Sequence, residues 1–118
     1  MHPEQEYFEH VAAGRFMIQK SRSTGGHVFY PRIAEPGTGA ADLEWVAASG
    51  RGTVYSTTTI RQKPPVPDYN VALIDLEEGP RMMSRVDGIA PEAVRIGMPV
   101  IARVVREGDR ALVVFVPA

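Results

Sequence analysis

The stretch from Leu43 to Ile60, LEWVAASGRGTVYSTTTI, constrains the chain most, because it reads as a long strand that glycine interrupts and that then resumes. Leu43, Trp45 and Ala47 alternate with Glu44, Val46 and Ala48. Beyond the glycines, Val54, Ser56, Thr58 and Ile60 alternate with Thr53, Tyr55, Thr57 and Thr59. Gly50 and Gly52 flank Arg51, which predicts a bulge or sharp bend where a strand changes sheet direction and backbone approaches a neighbour closely. A small closed barrel needs a bent first strand of this kind.

The rest of the chain supplies partners for that strand. Pro3 precedes Glu4, Glu6 and Glu9, with Tyr7, Phe8, Val11 and Ala12 at helical spacing and Gly14 past the end, so a short amphipathic helix is predicted. Arg15 to Lys20 alternates as a short strand. Ser21 to Asp42 turns to Ser, Thr, Gly and Pro around the apolar island Val28-Phe29-Tyr30, which predicts two turns flanking a strand-like piece. Pro64, Pro65 and Pro67 make the segment after Arg61 an extended loop. Val71 to Leu76 is nearly continuously apolar, as in a strand covered on both faces, and Gly79 supplies the turn to a hairpin partner at Arg81 to Val86. Pro91 opens a short helix, and Val100 to Val105 and Ala111 to Val116 are two further strands. The outcome is a mainly β chain: a five-stranded OB-fold barrel over residues 43–118, preceded by a helix and a loop-rich segment over residues 1–42.

Composition narrows the function. A net charge of −1 argues against a partner held chiefly by phosphate neutralisation. The chain has no cysteine, which excludes disulfides, thiolate zinc sites and thiol nucleophiles. No apolar run is long enough to span a bilayer and no leader opens the chain, so a cytoplasmic protein without membrane association is expected.

Four segments in order, YFEHVAAGRFMIQ (Tyr7 to Gln19), LEWVAASGRGTVYSTTTI (Leu43 to Ile60), VALIDLEEGPRMMS (Val71 to Ser84) and VRIGMPV (Val94 to Val100), resemble the acyl-CoA-associated OB-fold proteins. That family was formerly a domain of unknown function, and its members usually carry a rubredoxin-like zinc ribbon before the barrel. The resemblance implies a non-catalytic accessory subunit of a thiolase-like or other CoA-thioester enzyme, one that helps bind or guide acyl-CoA. It also places the ribbon's zinc ligands at Ser21, Thr24, Glu35 and Thr38. Hydroxyls are poor zinc ligands and one carboxylate cannot replace four thiolates, so a degenerate, metal-free ribbon is expected.

No catalytic constellation stands out. His2, His10 and His27 have no assignable acid and nucleophile around them, and Asp75 in its apolar run reads as a satisfied barrel-edge carboxylate. Glu77 and Glu78 read as solvated turn charges. Arg51 between two glycines, Arg61 and Lys63 at the proline loop, and Arg22 and Arg32 by the ribbon are candidates for a CoA phosphate, against the plain alternative of surface charge; Arg15, Lys20, Arg85 and Arg103 are further basic positions. Tyr7, Phe8, Val11, Phe29 and Tyr30 are candidates for a partner-binding face, against the alternative of core packing, and a homodimer is a further expectation. The competing function is single-stranded nucleic-acid binding, which calls for aromatics alternating with basic residues; Tyr55 is followed only by Ser56, Thr57, Thr58 and Thr59. A stand-alone hydrolase or isomerase has no motif to support it.

Overall fold

A computed structural model describes residues 2–118. Helix α1 spans Pro3–Ala12, with proline in its first turn beside Glu4 and Glu6, where the helix dipole favours carboxylates. Its end is closed by Gly14, whose N–H donates to Val11 O at 2.9 Å. Three short strands follow: β1 (Met17–Ser21), β2 (His27–Val28) and β3 (Leu43–Ala47), forming an antiparallel sheet in the order β2-β1-β3.

The second sheet holds β4 (Arg51–Ile60), β5 (Tyr69–Leu76), β6 (Arg81–Ser84), β7 (Pro99–Glu107) and β8 (Arg110–Pro117), in the order β6-β5-β4-β7-β8. A short 3-10 helix, Pro91–Ala93, lies between the third and fourth of these strands, as the sequence predicted. The sheet closes on itself. Backbone beyond β6 runs parallel to β8, with Phe115 N–H donating to Arg85 O at 3.0 Å and Asp87 N–H to Phe115 O at 2.7 Å. Closure buries Val54, Ile74, Val100 and Phe115 in one core, which Tyr7, Val11 and Ile18 extend to the helix and the first sheet.

Two readings of the sequence need correction. Leu43 to Ile60 is not one bent barrel strand: β3 pairs with β1 along its whole length (Met17↔Ala47 to Ser21↔Leu43), and only β4 enters the barrel. Of the bulge or bend expected at the glycines, the bend is there: Gly50 makes the turn from the first sheet into β4 with φ +83°, while the β4–β5 bulge lies further on, between Val54 and Ser56. The close backbone approach is real and sits at Gly52, where an added Cβ would lie 2.7 Å from Ile74 Cγ2 and 2.9 Å from Asp75 O. Finally, β5 is not covered on both faces. Asn70, Ala72, Ile74 and Leu76 are buried while Val71, Leu73 and Asp75 are half-exposed, because only one side of a barrel wall faces the core.

Asn70 is the polar member of that buried row. Its Nδ2 donates to Thr57 Oγ1 at 2.6 Å, and its Oδ1 accepts from Val86 N–H at 3.0 Å. One side chain thus ties β4, β5 and the closing segment after β6 together.

Candidate functional site

A groove of about 760 Å³ runs across the β6–β8 seam, walled on one side by α1 and the Phe29-Tyr30 segment and on the other by β5 and β6. Its rim carries Phe8, Tyr30, Tyr69 and Met83, which are 43%, 41%, 46% and 70% exposed. A cluster of this kind is more than the scattered apolar exposure of an ordinary surface, because all four side chains border one groove. Its back wall is apolar too, formed by Met82 and Val113.

Helical spacing divides the stripe proposed from the sequence. Tyr7 and Val11 point inward and are buried, so they belong to the core. Tyr7 is the centre of an aromatic cluster, with ring centroids 5.2 Å from Phe8, 5.5 Å from Phe29 and 6.5 Å from Trp45. Burial raises its hydroxyl to about pKa 12. Phe29 is half-buried against the same core, which leaves Phe8 and Tyr30 as the members of the five that present large rings to solvent.

The cations at the groove mouth are paired with carboxylates. Arg81 donates to Asp75 Oδ1 at 2.6 Å and lies 3.4 Å over the Tyr55 ring. Arg85 donates to Asp87 Oδ1 at 2.9 Å and also pairs with Glu107, and those two carboxylates hold its guanidinium well above the usual arginine value. With its cations neutralised, the groove suits an apolar surface better than a free anion. Arg81 stacks on one face of Tyr55, which already occupies part of the surface that a base would use and weighs against the nucleic-acid alternative.

The five basic candidates for CoA are not brought together. Arg51 and Arg61 stand at opposite ends of the ten-residue β4, about 30 Å apart at the usual rise per residue. Arg51 pairs with Glu77 at 2.5 Å, Arg61 with Asp68 at 3.5 Å and Arg22 with Glu44 at 3.1 Å. Arg32 is fixed through its backbone, whose N–H donates to Gln19 Oε1 at 2.6 Å and whose carbonyl accepts from Gln19 Nε2 at 2.7 Å. Lys63 is exposed in the proline loop. Glu77 and Glu78 are more than solvated turn charges. Glu77 holds Arg51, and Glu78 accepts from Ser49 N–H at 2.6 Å, so the β5–β6 turn is tied to the β3–β4 turn. Arg51 keeps the Glu77 carboxyl below its ordinary range.

The four positions that the resemblance assigns to zinc do gather, through hydrogen bonds. Thr24 Oγ1 lies 2.9 Å from both Glu35 carboxylate oxygens, and Thr38 Oγ1 donates to Glu35 Oε1 at 2.5 Å. Ser21 Oγ accepts from Thr24 N–H at 3.3 Å and donates to Asp42 Oδ1 at 2.7 Å. Among the described residues no three His, Asp or Glu side chains converge as metal ligands. The donor set at these four positions, three neutral hydroxyls and one carboxylate already occupied by hydrogen bonds, does not fit a structural zinc ion.

A closed five-stranded barrel with a parallel seam, a helix and a small three-stranded lobe defines an OB-fold protein with an N-terminal extension. The chain belongs to the family of ChsH2 C-terminal OB-fold domains, whose family profile matches residues 45–115. It is 36% identical over 80% of its length to a probable enoyl-CoA hydratase alpha subunit of Thermomonospora curvata, but spans only 31% of that protein. It is 30% identical to a DUF35 domain-containing scaffold protein of Pyrococcus furiosus, over 87% of this chain and 80% of that one. Among solved structures it superposes on a chain of an Ltp2-ChsH2(DUF35) aldolase with a TM-score of 0.87 and 32% identity, covering 99% of this chain and 95% of that one. No helix among the described residues is long and apolar enough to cross a membrane.

Proposed function

We propose that this chain is a non-catalytic accessory subunit that docks on a thiolase-like or other CoA-thioester enzyme and helps to hold or guide the acyl-CoA. The observation that carries the reading is the groove with Phe8, Tyr30, Tyr69 and Met83 at its rim and paired cations at its mouth. Such a surface gains from contact with an apolar protein face and has no arrangement of acid, base and nucleophile to act by itself. The relatives support the choice of partner, since they include a scaffold protein, a CoA hydratase subunit and a member of an aldolase complex. Bound CoA would lie at the joint surface with the enzyme, because the chain's own basic candidates are dispersed and mostly paired.

Affinity capture of the tagged protein from its native cells, with mass spectrometry of what co-purifies, tests this. Stoichiometric recovery of a CoA-thioester enzyme by the parent, lost in Phe8→Ser and Met83→Ser proteins of unchanged circular dichroism, is the expected result. Equal recovery by the variants would place the interface elsewhere. A parent that recovers no such enzyme and instead sediments as a dimer would assign the groove to self-association.

A further inference from the structure

The loop-rich lobe contains few apolar anchors of its own, yet two of its side chains, Phe29 and Tyr30, form one wall of the groove. Both lie between the turn at Thr24 and the turn at Glu35 to Thr38. We propose that the Thr24–Glu35–Thr38 cluster is a metal-free clasp that fastens these two turns where a metal ion would otherwise join them, and so positions the groove wall without any metal.

The geometry supports a clasp in several ways. Glu35 receives both threonine hydroxyls, so a single carboxylate bridges the two turns. Each hydroxyl is in turn set by its own backbone: Gly26 N–H donates to Thr24 Oγ1 at 3.1 Å and Ala40 N–H to Thr38 Oγ1 at 3.3 Å. The turns are also closed by backbone, with Gly25 N–H donating to Ser21 O and Gly39 N–H to Glu35 O, both at 2.9 Å. The carboxylate is packed against Gly26, where an added Cβ would fall 2.2 Å from Glu35 Oε2; the site has room for the bridge only because residue 26 has no side chain. Beside it, Asp42 forms a second tie across the lobe by accepting from Ser21 Oγ and from Ser23 N–H, each at 2.7 Å. Hydrogen bonds to an ionised acceptor are roughly twice as strong as neutral ones, which suits a carboxylate to this bridging position.

Hydrogen exchange on the full chain, parent and variants, tests the clasp. Glu35→Ala should speed exchange at Gly25, Gly26, Gly39 and Ala40 by about tenfold or more, the loss expected for removing a charge-assisted bond, with barrel amides such as Val54, Ile74 and Phe115 unchanged. Glu35→Gln keeps one acceptor for the hydroxyls and should restore part of the protection. Converting Ser21, Thr24, Glu35 and Thr38 together to cysteine should give one equivalent of bound Co(II) with the visible absorption of a tetrahedral tetrathiolate, and metal should restore protection to the lobe. The parent should melt identically with and without a zinc chelator. Stoichiometric zinc in the purified parent would overturn the proposal. So would a Glu35→Ala lobe as protected as the parent, or a four-cysteine protein that binds no cobalt. The Phe8→Ser and Met83→Ser captures leave the clasp intact, so failure of the docking reading is read separately from failure of this one.

Discussion

Replacing Gly52 with alanine probes the point where the barrel wall is tightest. Gly52 faces Leu76 of β5 and Val100 of β7, so its strand is held from both sides and cannot slide outward. The new methyl would meet Ile74 Cγ2 at 2.7 Å and the Asp75 carbonyl at 2.9 Å, both short of ordinary contact by about half an ångström or more. Ile74 is fully buried and the Asp75 carbonyl belongs to the ladder, so neither is the free end of a flexible chain. Overpacking of this kind costs about 1–3 kcal/mol, while the stiffer unfolded chain returns about 0.4–1 kcal/mol. The net loss is about 1–2 kcal/mol, which for a domain of this size lowers Tm by about 4–8 °C. Differential scanning calorimetry measures it, with the exposed neighbour Thr53→Ala as a control expected to stay within about 0.5 kcal/mol of the parent. Ile74→Ala removes one of the two colliding atoms, so the double variant should lose less than the sum of the singles. An unchanged or raised Tm for Gly52→Ala would refute the close-approach argument.

Asn70→Ala should destabilise by about 2–3 kcal/mol in a urea titration, since it strands the buried Val86 N–H and the Thr57 hydroxyl at the barrel seam; a loss below the about 0.5 kcal/mol of an ordinary surface change would show that water replaces the amide there. Tyr7 has a folded pKa raised to about 12 from the ordinary 10, so its burial is fully favourable below pH 10 and stability falls as pH rises from 10 through 12; Tyr7→Phe should flatten that alkaline loss of Tm. Asp42, Glu77 and Glu107 are held below the usual carboxylate range by hydrogen bonds from Ser21, Arg51 and Arg85 respectively. Their contributions are therefore present above about pH 4 and lost as pH falls through the folded values, and Arg85→Met should reduce the steepness of acid unfolding monitored by circular dichroism.

Local pattern determined a good deal of this protein. Proline at the helix start, glycine past its end and strict alternation in the strands are signals carried by neighbouring residues, and each reports a preference that survives folding. They located α1, the barrel strands and the short helix after the third of them, and the glycine pair correctly marked a close approach of backbone. Tertiary pairing decided what alternation leaves open. Leu43–Ala47 has the same period whether it joins the barrel or pairs with β1, and only the β1–β3 register assigns it to the lobe. Arg51 finds Glu77 and Arg22 finds Glu44 across more than twenty residues of chain, so which cations remain free for a ligand is not legible in their local sequence. The same holds at the clasp. Ser21, Thr24, Glu35 and Thr38 announce only that thiolates are missing, whereas the folded chain places the Glu35 carboxylate against two hydroxyls, because the turns that carry them are brought face to face by β1, β2 and β3. Helical spacing drew one apolar stripe along α1; the barrel it packs against decided that Tyr7 and Val11 turn inward and Phe8 stays at the groove, since burial depends on what lies opposite a face and not on the face alone.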